Sequence, residues 1–267
     1  MSLHISIDDT YGPQGHGRSR YVTGERRTHV GVVFDDDKVD YIREQIAGCL
    51  TFILENTGEK PEEFHFVDIY NRNGVWGRMS TDFNLRVFEF FAHIYETHRW
   101  PVLIQTVDKR TFKDLKGLDR KLRFDGLNPS DPSDLALSLL CLQIRIRFKS
   151  SNEPLTILLD EGRKKAGQPF GDELFRGWPA PFVGRFASSK AESLLQIADF
   201  LAFCINRSTH LALKEKRTDL DKWFMAMVAG MRINSNNIVP LVMNSDFTVE
   251  QFDEFHRLHR QFNRISD

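Results

Sequence analysis

The chain has 267 residues, of which 41% are hydrophobic and 27% are charged, and these proportions are typical of a soluble globular protein. Its 36 basic and 37 acidic residues nearly cancel, which excludes a histone-like protein and a protein with a long acidic tail. The composition also excludes collagen-like, coiled-coil and disordered proteins. The length predicts one large domain or two small ones, with enough buried surface to fold without disulfides.

The cysteines predict a reducing compartment. Cys49, Cys141 and Cys204 lie far apart in apolar stretches and lack the CxxC spacing of a zinc knuckle, so we expect buried thiols. No apolar run reaches the roughly 18 to 20 residues that span a bilayer. The first residues lack the basic and apolar regions of a secretory signal. We therefore expect a cytoplasmic protein with no membrane partner.

Strands and helices alternate along the chain. Leu3, Ile5 and Ile7 alternate with polar residues, which predicts a strand that ends at Asp8 and Asp9. Further strands are predicted at 29–34, 101–107, 155–159 and 182–186, with a possible short strand at 64–66. Helical spacing of apolar residues predicts helices at 37–55, at 80–97, from 131 onward, at 189–206, and twice more near 220–227 and 252–262. The pattern predicts an α/β fold, with a domain at 1–206 and a helical C-terminal extension at 207–267.

Acidic pairs end two of the predicted strands. Asp8 and Asp9 end the first strand, and Asp160 and Glu161 end the apolar strand at 155–159. Loops at the carboxyl ends of strands are where α/β sheets place their functional sites, so the two pairs can converge. A simple turn at each position is the alternative.

Asp199 has the least ordinary surroundings of the acidic residues. It lies beside a helical stripe formed by Leu194, Leu195, Ala198, Leu201 and Ala202. A carboxylate next to such a face loses water, which is costly unless it is paired or bound to a metal. Glu63 and His65 lie in a short segment between helices, where a structural role is the more common one.

Separated carboxylates that converge predict a site for hard cations. Mg²⁺ and Mn²⁺ prefer oxygen ligands, and waters and substrate phosphates complete their coordination. Two such ions can activate a water and stabilise the leaving oxygen in phosphodiester hydrolysis. Without metal, the clustered carboxylates repel one another and their pKa values should rise.

Four segments together resemble the family called domain of unknown function 3800, which is assigned to the ribonuclease-H-like superfamily. The segments are Ile5-Ser-Ile-Asp-Asp-Thr10, Glu63-Phe-His65, Thr156-Ile-Leu-Leu-Asp-Glu161 and Ser189-Lys-Ala-Glu-Ser-Leu-Leu-Gln-Ile-Ala-Asp199-Phe-Leu-Ala202. The last segment is the most specific. The resemblance runs from about residue 3 to 206, and the family opens with Asp-Glu-Ser-Gly where this chain has Asp8-Asp9-Thr10-Tyr11.

The resemblance implies a ribonuclease-H-like mixed sheet flanked by helices and a nuclease that uses Mg²⁺ or Mn²⁺. It implies that Asp8, Asp160 and Asp199 bind the metal, with Glu63 completing the shell and His65 positioning water or product. The residues that the motifs place in support of this site are Asp9, Glu161, Gln196 and Ser189.

A basic segment offers a surface for nucleic acid. Between residues 109 and 123 there are seven basic residues against two acidic ones, with Phe112 available for stacking. The basic residues are Lys109, Arg110, Lys113, Lys116, Arg120, Lys121 and Arg123. Such a segment can contact phosphates, and a solvated helix face is the alternative. A second basic loop holds Arg18, Arg20, Arg26 and Arg27.

The acidic and basic residues of the chain suggest three candidate functions. The first is a metal-dependent nuclease or phosphodiesterase, and the second is a non-catalytic module of the same fold that binds nucleic acid or protein. The third, a small-molecule phosphohydrolase of the haloacid-dehalogenase type, needs Asp-x-Asp after its first strand, and Asp8-Asp9-Thr10 has a different spacing. The absence of GxxxxGK[ST], GxGxxG and GxSxG argues against phosphate-loop, dinucleotide and serine-hydrolase enzymes.

Overall fold

A mixed five-stranded sheet organises the fold. The computed structural model describes residues 2–12, 19–22, 26–114, 126–236 and 246–265. The strands are β1 Leu3–Tyr11, β2 Arg27–Asp35, β3 Val102–Val107, β4 Leu155–Asp160 and β5 Phe182–Ala187, and their order across the sheet is β3-β2-β1-β4-β5. β2 is antiparallel to β1 and β3, whereas β1, β4 and β5 are parallel. This mixed sheet confirms the predicted α/β class.

Helices cover both faces of the sheet. They are α1 Val39–Thr57, α2 Phe66–Asn71, α3 Thr81–His98, α4 Lys109–Asp114, α5 Pro132–Phe148, α6 Ser193–Ala212, α7 Asp219–Met231 and α8 Val249–Phe262. α5 packs on β2 and β3, and α6 packs mainly on β1 and β2 from the opposite face. No helix in the described part of the chain is long and apolar enough to cross a membrane.

The register of β1 and β4 places two acidic residues at the same edge of the sheet. The parallel pairing of these strands ends with Ile7 opposite Leu159, so Asp8 and Asp160 are the next residues on each strand. β1 does not end there as predicted, because β2 continues to pair with it as far as Tyr11. Asp8 is therefore held by a strand rather than by a turn.

A cluster of aromatic rings fills the core between the sheet and helices α1, α3, α6 and α7. Phe66, Phe88, Phe91 and Phe200 are completely buried. Their ring centroids lie 4.8–6.3 Å apart, mostly in edge-to-face or tilted arrangements, which are the favourable geometries for aromatic pairs. Core packing therefore accounts for these four phenylalanines.

Two local predictions were wrong. Residues 64–66 do not form a strand; Phe64 and His65 are irregular and α2 begins at Phe66. The helix predicted from residue 189 begins only at Ser193, and its N-cap residue Glu192 makes no side-chain capping bond. Glu192 instead accepts hydrogen bonds from the guanidinium of Arg43 on α1.

Helix α6 runs past residue 206 and ends at Ala212. The proposed boundary between the domain and its extension therefore falls inside this helix. α7 packs on α3 and α6. α8 is joined to α4 by Arg260, which donates two hydrogen bonds to the carboxylate of Asp114 at 2.6 and 3.1 Å.

The aromatic core gives a first prediction. Phe91→Ala should lower the free energy of unfolding by about 3–5 kcal/mol, because it removes buried surface and leaves a cavity. Phe262→Ala is the matched control; its side chain is 86% exposed, and we expect a change below about 0.5 kcal/mol. Urea unfolding followed by circular dichroism measures both values. Similar losses in the two variants would contradict the described packing.

Candidate functional site

Three half-buried aspartates meet at the edge where β1 and β4 stop pairing. Asp8 and Asp160 come from these neighbouring strands, and Asp199 comes from α6. Ile5 and Ile7 pack on the α5 face of the sheet. Since side chains alternate along a strand, Asp8 points to the opposite face, where α6 packs.

Asp199 is held at the site by the packing of α6. The apolar stripe from Leu194 to Ala202 is buried, as predicted, and Asp199 lies at its edge. The backbone N–H of Phe66 donates a hydrogen bond to Asp199 Oδ2 at 3.0 Å. This bond brings the segment before α2 to the carboxylate.

The electrostatics show that the acidic residues act on one another. Burial raises the pKa of Asp8 well above its ordinary value, and the charges of Asp199, Asp9 and Asp160 raise it further. Burial likewise raises the pKa of Asp199 to about 6; Asp160 and Glu63 add to this, whereas His65 and the Phe66 N–H oppose it.

Asp160 belongs to the same group. Its pKa is raised by burial and by the charges of Glu161 and Glu63, while the backbone N–H groups of Glu161 and Gly162 lower it. Each of these carboxylates is thus disfavoured in its charged form, as expected for clustered acids without a cation. The structure brings Asp8, Asp160 and Asp199 into one electrostatic cluster, with Glu63 acting on two of them.

Gln196 and Ser189 fix the position of Glu63. Gln196, only 2% exposed, accepts a hydrogen bond from the Phe64 backbone N–H at 3.2 Å and donates one to the Ser189 carbonyl at 2.7 Å. The Ser189 hydroxyl donates to the Glu63 carboxylate. Both residues predicted as supporting therefore hold the segment that carries Glu63.

His65 is oriented by a residue that the sequence did not reveal. Its Nδ1 hydrogen-bonds Asp68 Oδ2 at 2.8 Å, and Asn73 donates to the other oxygen of Asp68 at 2.9 Å. Burial lowers the pKa of His65, but the charge of Asp199 and the bond to Asp68 outweigh it and raise the pKa. A histidine and an aspartate three residues apart at the start of a helix could have predicted this pair. The strand predicted at 64–66 left no helix start there, so the pair was missed.

Asp9 and Glu161 lie at the margin of the cluster. Asp9 points away from Asp8 because adjacent strand residues face opposite sides of a sheet. Burial of its inner part raises the pKa of Asp9, and the positive charges of Arg163 and Arg27 oppose this rise. Glu161 is exposed in the turn after β4. The two arginines also lie near His29, whose pKa burial lowers to about 3, so this histidine is neutral.

The basic segment is only partly described. Lys109 and Arg110 lie on α4, whereas the side chain of Lys113 and residues 115–125, which include Lys116, Arg120, Lys121 and Arg123, lie outside the described residues, as does Arg18. Arg110 donates to the carbonyl of Arg20 at 2.6 Å and lies over the ring of Tyr21. The prediction that Phe112 is available for stacking was wrong, because its ring packs against Val107, Leu135 and Ala136.

The donor set fits a hard divalent cation. The clustered side chains present carboxylate oxygens, which Mg²⁺ and Mn²⁺ prefer, and burial and neighbouring negative charges raise their pKa values. Among the described residues, no three His, Cys, Asp or Glu side chains are arranged to hold one metal ion between them. Mg²⁺ is commonly bound through one or two carboxylates, with water and substrate phosphate as its other ligands.

Comparison with solved structures finds a distant similarity. The crystal structure of the ribonuclease H2 from Pyrococcus horikoshii OT3 covers 96% of this chain and 99% of its own, with 10% sequence identity and a TM-score of 0.35. A similarity this low carries no argument about function. No family model and no curated protein matches the chain.

The raised pKa of Asp199 predicts a pH-dependent stability. Its folded-state value of about 6 lies above the ordinary 3.8, so metal-free protein should lose stability as the pH rises from about 4 to 6. Asp199→Asn removes the ionisation while keeping an acceptor for the Phe66 N–H. We expect it to stabilise the metal-free protein by about 1–3 kcal/mol near pH 8 and not at all below about pH 4.

Urea unfolding in EDTA at several pH values measures this difference, with the exposed Asp172→Asn as control. The control should follow the wild type at every pH. An Asp199→Asn protein no more stable than wild type at pH 8 would contradict the electrostatic cluster.

Proposed function

We propose that this protein is a divalent-metal-dependent nuclease that hydrolyses phosphodiester bonds of nucleic acid. We also propose that it belongs to the family called domain of unknown function 3800 and has a ribonuclease-H-like fold. The observation that carries the function is the electrostatic cluster of Asp8, Asp160 and Asp199, drawn from three separate elements. The mixed sheet flanked by helices is consistent with the fold.

Asp8, Asp160 and Asp199 would hold Mg²⁺ or Mn²⁺, with Glu63 beside them. When bound, the cation supplies a Lewis acid for the phosphoryl group and a lowered pKa for water. The carboxylates of the chain keep the position of the reacting phosphate fixed because each is restrained by its backbone. Asp8 and Asp160 are strand residues, and Asp199 is held by α6 and the Phe66 N–H.

His65 would act as the proton donor for the leaving oxygen. Its raised pKa favours the protonated form of the ring, which is the form that can donate a proton. Asp68 binds Nδ1, which leaves Nε2 as the nitrogen that can meet the substrate. Asp68 is therefore a positioning residue, and Ser189 and Gln196 serve Glu63 in the same way.

Basic side chains support nucleic acid as the partner. Arg27 and Arg163 act on Asp9, and Lys109 and Arg110 lie on α4. Phosphates provide most of the affinity of proteins for nucleic acid through such contacts. The same contacts would serve DNA and RNA, so both belong in a substrate screen.

Metal binding and cleavage test the proposal together. Mg²⁺ or Mn²⁺ should raise the melting temperature of the wild type, because the cation binds the folded cluster. Asp160→Asn and Asp199→Asn should lose this stabilisation and at least about a hundredfold of the cleavage rate. Single- and double-stranded DNA, RNA and a DNA–RNA hybrid serve as substrates, and Asp172→Asn is the matched control.

A second function is favoured by one observation: no three ligating side chains of the described residues are arranged to hold a metal ion. In that case the protein is a module that binds nucleic acid or protein without metal. Salt-dependent binding of nucleic acid, with no cleavage and no effect of Mg²⁺ or Mn²⁺ on stability, would establish this alternative and exclude the nuclease.

Asp68→Asn tests the role of His65. The substitution keeps an acceptor for Nδ1 but removes the negative charge that raises the pKa of His65. If His65 donates a proton, the alkaline limb of the rate profile should move to lower pH, with about a tenfold loss of rate at neutral pH. An unshifted pH profile of kcat would show that His65 has no such role.

A further inference from the structure

A cavity of about 470 Å³ lies between β2, β3, the end of α6 and α8. Its volume is within the range of small-ligand sites, roughly 300–1,000 Å³. Thr28 and Thr106 line it from the sheet, Asn206 and Thr209 from α6, and Phe255 from α8. Phe255 is 36% exposed, which places it towards solvent.

Arg26 brings a positive charge to this cavity, which Asp108 also lines. Its Nη2 donates to Asn206 Oδ1 at 2.7 Å, and it forms no ion pair with a carboxylate among the described residues. Burial lowers the pKa of Arg26 to about 10, and the charge of Asp108 opposes this effect. Arg260, by contrast, is paired with Asp114. The half-buried guanidinium of Arg26 is bonded to an amide oxygen rather than to a carboxylate, so it keeps donors that can meet an anion.

Hydroxyl groups add donors beside Arg26. The Thr28 and Thr106 hydroxyls share one hydrogen bond of 2.9 Å, so one of their two hydrogens is left to donate elsewhere. Arg26 and a hydroxyl donor together suit the oxygens of a phosphate group.

Aromatic rings also line the cavity. Tyr21 and His256 are stacked at 5.7 Å, and Phe252 lies 4.5 Å from His256. All three residues line the cavity, as does Phe255. Flat aromatic faces bind nucleic-acid bases of any sequence by stacking. A cation and hydroxyl donors together with aromatic rings match the two halves of a nucleotide, its phosphate and its base.

Two elements connect the acidic cluster to the cavity. Asn206 follows Asp199 by two turns of α6, on the same face and about 10 Å away. Tyr11 follows Asp8 by three residues of β1, which is also about 10 Å. The Asn206 side chain donates to the Tyr11 carbonyl at 2.8 Å, so the helix and the strand remain together over this length. A stacked strand covers the distance with about three nucleotides.

We propose that this cavity binds one nucleotide of the strand that is cut at the acidic cluster, with its phosphate against Arg26 and its base against the aromatic rings. The inference rests on the nuclease function proposed above. Arg26 is a binding residue here, and the cavity fixes how far the substrate strand extends from the cluster.

Binding without cleavage tests this inference. Fluorescence anisotropy in EDTA, with the Asp199→Asn background to prevent cutting, measures the affinity for single-stranded DNA and RNA oligonucleotides of twelve nucleotides. Arg26→Gln removes the charge and can keep the bond to Asn206. Thr209→Phe fills the cavity and leaves Arg26 in place. Arg86→Gln is the matched control, because it also removes one positive charge but lies on the exposed face of α3.

Arg26→Gln should weaken binding roughly tenfold to hundredfold and reduce the salt dependence by about one phosphate contact. Thr209→Phe should weaken binding by at least about tenfold, and Arg86→Gln by less than about twofold. Thermal melting confirms that each variant is folded. If Arg26→Gln does not fold, the binding measured with Thr209→Phe tests the inference by itself.

The other outcomes overturn the inference in distinguishable ways. Oligonucleotide binding that neither cavity variant changes, together with metal-dependent cleavage by the wild type, rejects the cavity site and leaves the nuclease intact. A titration with adenosine monophosphate covers the case in which no oligonucleotide binds. Binding of this nucleotide that Arg26→Gln abolishes would then show a mononucleotide site and reject the strand-binding role.

Discussion

The burial of Asp8, Asp160 and Asp199 in one acidic cluster is the constraint on which the site depends. Each carboxylate is half-buried, and each has a raised pKa because burial and the neighbouring charges disfavour ionisation. Few interactions offset this cost: the Phe66 N–H and His65 favour the charged form of Asp199, and two backbone N–H groups favour that of Asp160. The fold must therefore force these groups together, and it does so through elements stabilised elsewhere by apolar burial.

The packing of helix α6 contributes most to holding these groups together. Its apolar stripe packs on the sheet and on the aromatic core, which sets the depth of Asp199. One turn earlier, Gln196 uses both its amide oxygen and its amide nitrogen to hold two separate loops. A buried amide is costly unless both groups are satisfied. The hydrogen bonds that satisfy Gln196 also hold Glu63 and His65 beside the acidic residues.

The same helix links the acidic cluster to the cavity. Asn206 contacts both the end of β1 and Arg26, so the acidic and the basic parts of the surface are joined by residues two turns apart. An acidic centre that attracts cations and a cationic pocket that attracts anions are complementary for a substrate that carries regularly spaced phosphates.

The sequence by itself determined the strands, most of the helices, the fold class and the desolvation of Asp199, because these depend on periodic apolar patterns and nearest-neighbour spacing. It also indicated which acids end neighbouring strands, although it ended β1 too early. It did not determine the helical start at Phe66, the role of Ser189 as a donor to Glu63, or the pairing of His65 with Asp68. Those features, and the cavity around Arg26, depend on contacts between segments far apart in the chain. Only the packed tertiary structure decides them, because local periodicity records burial and not the identity of the partner.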